Sequence, residues 1–221
     1  MVINADTIAM YLTETWATIY MTLISSAVSY LIGIPLGVIL VVTDKDGIAP
    51  CSPVHAVLGT LINIFRSIPF LILLVMVLPI TKFLVHTTLG PIAIIPPLIF
   101  ASAPYIGRMV ESSLKEVDAG VIEAAKSMGA TNWQIIWKVL LPEAKPSLLV
   151  GAAICITTIL SYSAMAGFVG GGGLGAIALN YGYYRYKTDI MLIAVTVLVI
   201  LVQLIQEFWM FLARRTDKRA R

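Results

Sequence analysis

Charged side chains are scarce in this sequence. Asp, Glu, Lys and Arg together supply 12% of its 221 residues, whereas 59% are hydrophobic, and the mean hydropathy is +0.93. Soluble domains carry about 25% charged residues. The scarcity therefore excludes an ordinary soluble domain and predicts an integral membrane protein.

Cysteine, histidine and recognisable catalytic motifs are also nearly missing. The two cysteines, Cys51 and Cys155, are too few for a disulfide framework, and we expect both to be packing residues. The two histidines, His55 and His86, flank apolar segments without a ligand partner at metal spacing, so no metal site is expected. The sequence has no His-Glu-x-x-His, no Gly-x-Ser-x-Gly and no carboxylate pair within a membrane segment. We therefore expect no enzyme activity, and the energy for its work must come from a partner.

Five apolar stretches are long enough to cross a bilayer as helices, which takes about 20 residues. The first is longer than that, so we expect it to tilt or to extend into solvent at its start. Its Gly33, Pro35 and Gly37 predict a kink and the close approach of a neighbouring helix. The first residues hold Asp6 and Glu14 but no Lys or Arg, so no cleavable signal peptide is expected. We predict an all-α membrane protein with five transmembrane helices, near residues 16–42, 56–79, 89–110, 148–169 and 190–212.

The distribution of basic residues predicts the orientation of these spans, because cytoplasmic loops are enriched in Lys and Arg. With loops 44–55 and 111–147 and the C-terminal tail in the cytoplasm, 12 of the 15 basic residues lie on that side and 3 on the other. The N-terminus is then outside and the C-terminus inside. The cytoplasmic set is Lys45, Arg66, Arg108, Lys115, Lys126, Lys138, Lys145, Arg214, Arg215, Lys218, Arg219 and Arg221, and the outer set is Lys82, Arg185 and Lys187.

The cytoplasmic stretch between the third and fourth spans predicts two short helices. The first covers 118–128 and carries an apolar side, and Gly129 with Ala130 breaks it. Thr131 and Gln134 match a capping box, so the second helix covers 132–141 and ends at Pro142. Such a unit either lies on the lipid headgroups or contacts a soluble partner. The apolar side of the first helix comprises Val121, Ile122, Ala125 and Met128.

The same stretch carries a spaced motif: Glu123-Ala124-Ala125, Gly129, Val139 and Leu141-Pro142. This pattern resembles the cytoplasmic coupling loop of permease subunits in bacterial ATP-binding-cassette importers, with Val in place of the usual Ile. The resemblance implies a type I importer permease fold and covers essentially the whole chain. It implies one transmembrane permease domain over residues 1–221 with a coupling loop at 111–147. The implied ATPase-coupling residues are Asp118, Glu123, Ala124, Ala125, Gly129 and Pro142.

The residue types at these positions suit a rigid lever that docks on an ATPase. Asp118 lies near the N-terminus of the first helix, where the macrodipole favours negative charge. Glu123 and Lys126 are spaced to pair on the exposed face. The small Ala124 and Ala125 allow a partner surface to approach closely. We favour docking over a helix that lies on lipid, because the full motif spacing is matched.

A narrower resemblance is to the methionine importer permease. It implies methionine as the substrate, both L- and D-, and a multi-pass protein of the bacterial cytoplasmic (inner) membrane. The implied partners are a second copy of this permease, two copies of the ABC ATPase subunit, an external substrate-binding lipoprotein and membrane lipid, with no nucleic acid. ATP and Mg would be bound by the ATPase, with no cofactor on this chain. The matching segments are 63–70, 108–111, 125–131, 160–165 and the stretch that ends in 180–183.

Polar residues within the spans are candidates for a translocation path or gate. Arg66 would lie about 15 Å into the second span at 1.5 Å per residue, with Asn63 and Ser67 close to it. The alternative is a structural role in which Arg66 pairs with Glu111 or with an interface carbonyl. In the fourth span the candidates are Ser161, Ser163 and Met165, although such hydroxyls often bond only to the preceding turn.

Two further segments on the outer side have competing interpretations. Gly170–Gly175 lacks the Gly-Lys-Ser/Thr of a phosphate loop, so we expect a flexible external loop or a short re-entrant segment. The aromatic and basic stretch 180–187 is either an interfacial aromatic belt or a contact for the binding protein. For the whole chain, two alternatives stay open: a permease for another small amino acid or organic ion, and a membrane channel or scaffold without an ATPase.

Overall fold

The structure is a computed structural model that describes residues 5–217, and every element assigned in that range is helical. Three of the ten α-helices continue directly into π-helical or 3-10 turns. These turns are the π-helical segments Ile136–Leu140 and Ala178–Tyr183 and the 3-10 segment Ala166–Val169. The α-helices are α1 (Ala5–Thr43), α2 (Ser52–Ser67), α3 (Phe70–Val85), α4 (Pro91–Lys115), α5 (Ala119–Ser127), α6 (Asn132–Ile135), α7 (Leu141–Glu143), α8 (Lys145–Met165), α9 (Gly173–Ile177) and α10 (Thr188–Thr216).

Four helices are long and apolar enough to cross a membrane, and a bent pair supplies a fifth candidate span. The four are α1, α4, α10, and α8 with its following turn, and each overlaps one of the predicted spans. At 39 residues α1 is about 58 Å long, about twice the thickness of the hydrocarbon core. This length agrees with the expectation that the first span tilts or extends into solvent at its start.

The second predicted span is not one continuous helix. The chain bends by 107° between α2 and α3, and taken together as one broken span this pair gives the five spans expected from the sequence. The break falls at residues 68–69 because Pro69 has no N–H and disfavours a helical conformation of Ile68. The Pro69 carbonyl then accepts the N–H groups of Ile72 and Leu73, both at 3.0 Å, and so starts α3.

The described chain divides into two compact units whose segments alternate along the sequence. The first comprises the residues up to 28, 68–102 and 156–206. Its core joins α9 to α10 through Leu174, Ile177, Ile190 and Ala194. Because the segments alternate, neither unit is a separate stretch of sequence.

The second unit comprises residues 29–67, 103–155 and those from 207 onward, and it is held together by close helix packing. A Cβ on Gly33 would lie 2.5 Å from Cγ2 of Ile106, and one on Gly37 would lie 2.6 Å from the carbonyl oxygen of Gly107. Only glycine allows α1 and α4 to approach this closely. The predicted close approach at these two glycines is confirmed, and α1 continues through Pro35 without a break.

Candidate functional site

The motif-bearing stretch begins with a helix that is capped at both ends. The Asp118 carboxylate accepts the N–H of Gly120 at 2.7 Å and so caps the N-terminus of α5. At the other end, the N–H of Ala130 donates to the Ala125 carbonyl at 3.1 Å, and Gly129, at φ +78°, donates to the next carbonyl. These bonds form a Schellman motif. The predicted break at Gly129 is confirmed, and α5 is a short, defined element.

The next helix begins at the predicted capping box. The Thr131 hydroxyl accepts the N–H of Gln134 at 3.3 Å, and the Gln134 side chain accepts the N–H of Thr131 at 2.9 Å. The prediction that this helix ends at Pro142 is wrong, because Pro142 lies inside α7. The preceding turn is π-helical, with the N–H of Leu141 donating to the Ile136 carbonyl. This wider turn accommodates a residue that has no N–H of its own, so the helical path continues toward α8.

The exposed surface of this stretch differs from the predicted amphipathic pattern. Glu123 and Ala124 are exposed, whereas Ala125 is buried, so of the two alanines expected to face a partner only Ala124 offers its surface. Two residues of the predicted apolar side are exposed: Met128, which follows the last residue of α5, is 82% exposed, and Val121 is 42% exposed. Two further exposed side chains, Trp133 and Trp137, pack edge to face at 5.6 Å between ring centroids.

Glu123 and Lys126 line a cleft instead of pairing with each other. Within residues 5–217 the structure has no ion pair between them, so the predicted bridge is not formed. The cleft has a volume of about 520 Å³ and is lined by apolar residues and by charged side chains of both signs. Among the described residues no group of three or more His, Cys, Asp or Glu is placed to hold a metal ion. The charged residues that line the cleft are Asp44, Lys45, Asp46, Lys115, Glu123 and Lys126.

An ion-pair network lies at one side of this cleft, just before α5. Lys115, the last residue of α4, contacts Asp44 at 2.7 Å and Glu111 at 3.0 Å. Its ammonium group donates to Asp44 and holds the pKa of that carboxyl below its usual value. The Glu111 side chain is only 8% exposed. A buried carboxylate needs compensating partners, and here it has two cations.

Arg108 extends the network to α2. Its Nη1 atom contacts Glu111 at 2.6 Å, and its Nη2 atom donates to the Asn63 side chain at 3.0 Å and to the Gly59 carbonyl at 3.1 Å. Sequence reasoning missed this group. The Arg108, Glu111 and Lys115 spacing of i, i+3 and i+7 on one helix was the available signal. The links to Asn63 and Asp44 depend on tertiary structure.

Arg66 lies apart from that network. It is exposed at the C-terminal end of α2, where a cation complements the helix dipole. α2 ends one residue after it, so Arg66 lies next to the break between α2 and α3. Glu111 is paired with Arg108 and Lys115, so the alternative in which Arg66 pairs with Glu111 is wrong. Ser67, also exposed, donates to the Asn63 carbonyl at 2.8 Å.

The three candidates in α8 do not share one face. Ser161 and Met165 are both exposed, one turn apart, whereas Ser163 is buried. The two hydroxyls bond to carbonyls of the preceding turn, Ser161 to Thr157 at 3.0 Å and Ser163 to Leu160 at 2.7 Å. Ser161 and Met165 therefore stay path candidates. For Ser163 the structural interpretation fits better.

The glycine-rich segment is packed, so the expectation of a flexible external loop is wrong. Gly171 and Gly173 are buried, and the segment leads directly into α9, whose residues are all buried. Two residues of α1 cap α9: the Glu14 carboxylate accepts the N–H of Gly173, and the Thr18 hydroxyl accepts that of Leu174 at 2.9 Å. The other alternative, a short helical segment that folds back after α8, agrees with this geometry.

The aromatic stretch that follows α9 is displayed on the surface. Tyr183, Tyr184 and Tyr186 are all exposed, and the Arg185 guanidinium lies 4.8 Å from the centre of the Tyr181 ring. This arrangement suits both an interfacial belt and a protein contact, so both interpretations stay open.

Comparison with known proteins agrees with this geometry. Residues 33–221 match the protein family described as "Binding-protein-dependent transport system inner membrane component". The chain is 50% identical over 217 residues to the "Probable D-methionine transport system permease protein MetI" of Vibrio cholerae, covering 98% of this chain and 95% of that protein. It is 45% identical over 181 residues to the "Methionine import system permease protein MetP" of Bacillus subtilis, covering 82% of each.

A solved structure has nearly the same fold. A chain of the structure described as "Inward facing conformations of the MetNI methionine ABC transporter" superposes with a TM-score of 0.96 at 42% identity. The match covers 98% of this chain and 100% of the other. The family match, the relatives and this fold agree with the helical spans and the motif. This chain belongs to the family of inner membrane components of binding-protein-dependent transport systems, with the fold of a type I importer permease.

Proposed function

We propose that this chain is the transmembrane subunit of an ATP-driven methionine importer and forms its translocation pathway. The observation that carries the proposal is the superposition of the whole chain on a permease chain of a methionine ABC transporter. Relatives in two distant bacteria bear methionine permease names, which supports the same substrate. We include both L- and D-methionine as substrates.

The energy comes from a partner, because the chain itself carries a lever and no recognisable catalytic group. The capped helix α5 presents Glu123 and Ala124 to solvent, and Asp118 and Gly129 fix its two ends. Ala125 packs beneath it, and Pro142 marks the return of the chain toward α8. We assign these six residues to docking on the ABC ATPase subunit, which would bind ATP and Mg.

The complete importer would contain two copies of this permease and two ATPase subunits, with a substrate-binding lipoprotein outside. ATP-driven closure of the ATPases draws the two coupling loops together and opens the pathway outward. Release of the nucleotide products returns it to the inward-facing state. Residues 1–221 act as one permease domain, with 111–147 as the loop that receives the force.

The proposed path and gate are formed by exposed residues of the spans. Ser161 and Met165 lie on one face of α8, and Arg66, Asn63 and Ser67 lie near the end of α2 where the chain bends. An exposed arginine at the break within a candidate span suits a gate, because it stays hydrated only where the pathway holds water. Loss of uptake by Arg66→Ala with normal expression tests this role.

Uptake by the purified complex in proteoliposomes tests the function as a whole. ATP is supplied on the side of the membrane that carries the ATPase, and the binding protein and labelled methionine are supplied on the other side. We expect the labelled methionine to accumulate on the ATPase side. Excess unlabelled methionine should abolish accumulation, whereas other amino acids and organic ions should not. Transport of a different amino acid in preference to methionine would support the alternative permease. Methionine flux that needs neither ATP nor an ATPase would support a channel.

A further inference from the structure

We propose that Lys115 is a positioning residue that makes the coupling helix α5 move together with the α1–α2 connection. This inference rests on the proposed function and names the link through which force passes from α5 into the helices. Lys115 ends α4 and lies three residues before the N-cap Asp118. It does not belong to the motif that marks the coupling loop.

The connection between α4 and α5 is the weak point of this path. It comprises residues 116–118 and is held by two long backbone bonds. The N–H of Glu116 donates to the Ser113 carbonyl at 3.4 Å, and that of Val117 donates to Leu114 at 3.3 Å. Both are longer than the usual 2.9–3.0 Å. A push on α5 reaches the other helices through the end of α4, so the contacts of that end decide which helices move with it.

Lys115 holds the end of α4 through two ion pairs. Its Nζ atom bridges Glu111 on its own helix, at 3.0 Å, and Asp44, at 2.7 Å, which follows the last residue of α1. Arg108 shares Glu111 and bonds to Asn63 of α2. The end of α4 is thereby tied to both α1 and α2, and all of these residues belong to one compact unit.

Burial distinguishes this network from ordinary surface pairs. Exposed ion pairs contribute little, and Lys45 with Asp46, at 3.8 Å and more than 80% exposed on both sides, is such a pair. Glu111 is almost fully buried, so loss of one of its cations leaves a charge poorly compensated in a low-dielectric site. These ion pairs therefore stay formed during a transport cycle, as contacts that transmit force must.

The test compares ATP hydrolysis with transport in the reconstituted complex. Lys115→Met keeps the length of the side chain and removes its charge. We expect methionine uptake to fall about tenfold while ATPase activity of the complex changes less than twofold, because the coupling between sites is lost. Lys115→Arg should restore uptake to near the original level. Lys45→Met, which removes a neighbouring exposed lysine outside the network, should leave both rates unchanged.

A second variant keeps the test decisive if Lys115→Met assembles poorly. Asp44→Asn removes the link to α1 and leaves Glu111 with both of its cations, so we expect a smaller loss of uptake per ATP with normal assembly. An unchanged ratio of methionine uptake to ATPase activity in both variants would overturn the proposal. Failure of the unaltered complex to import methionine would instead contradict the proposed function.

Discussion

Gly129 shows how one residue directs the chain from one helix into the next. Its φ of +78° lies in the left-handed region, and no heavy atom lies within 4 Å of the position that a Cβ would occupy. Substitution by alanine is therefore opposed by backbone strain and not by a steric clash, at a cost of about 1–2 kcal/mol. The Schellman bonds to Ala125 and Lys126 depend on this conformation.

A matched pair of glycine variants separates strain from function. Gly90 has φ +82° and equally open surroundings, but it lies before α4 and outside the coupling stretch. We expect Gly129→Ala and Gly90→Ala to lower the thermal unfolding midpoint by similar amounts. Only Gly129→Ala should also reduce methionine uptake, because it redirects the helix that docks on the ATPase. Equal uptake in the two variants would contradict the role of Gly129 in coupling.

Local spacing explains which residue contacts were predictable. The Thr131 and Gln134 capping box and the Asp118 cap each join residues within three positions, so the sequence alone indicates them. The partners of Lys115 and Arg108 on other helices could not be read in this way. Asp44 and Asn63 lie far from them along the chain and meet them only after the helices pack.

At the scale of the element, α5 has a surface that no other described part of the chain covers. Glu123 is exposed on it, and Glu116 is an exposed glutamate in the connection just before it. Charge reversal at either position alters the net charge of the loop equally. The two positions therefore distinguish contact with a partner from a general electrostatic effect.

We expect Glu123→Arg to abolish uptake and to weaken co-purification of the ATPase, because it places a cation in the docking surface. Glu116→Arg should preserve co-purification and most of the uptake. Both variants should insert into the membrane at normal levels, measured by immunoblotting of membrane fractions. Normal co-purification and uptake by Glu123→Arg would support the alternative in which α5 lies on lipid headgroups.

Two prolines show why element boundaries were only partly predictable. The break before α3 follows from Pro69, which has an extended backbone with φ −57° and ψ 136° and disfavours a helical conformation of the residue before it. Pro142 obeys the same chemistry but does not end its helix, because the π-helical turn Ile136–Leu140 absorbs the missing hydrogen bond. Whether a π turn forms depends on packing around it, which sequence periodicity does not contain.

At the scale of the whole molecule, hydropathy predicts the class and the candidate spans because apolar length is a local property. The buried position of the glycine-rich segment before α9 was not predictable, since composition alone favours a flexible loop there. Its order comes from Glu14 and Thr18 on α1, which supply hydrogen-bond acceptors to the first turn of α9. The fold was expected from the family resemblance, because these local rules do not determine how the helices pack together.

The orientation of the chain rests on the count of basic residues, and three of those, Lys218, Arg219 and Arg221, lie outside the described residues. Cysteine labelling tests it directly. In a background with Cys51→Ser and Cys155→Ser, Tyr186→Cys places a thiol at a 90% exposed position before α10, and Lys45→Cys places one after α1. We expect a membrane-impermeant maleimide to label the first in intact cells and the second only after permeabilisation. Inverted vesicles should reverse the order, and the opposite pattern in intact cells would place the N-terminus and the motif-bearing loop on the other sides of the membrane.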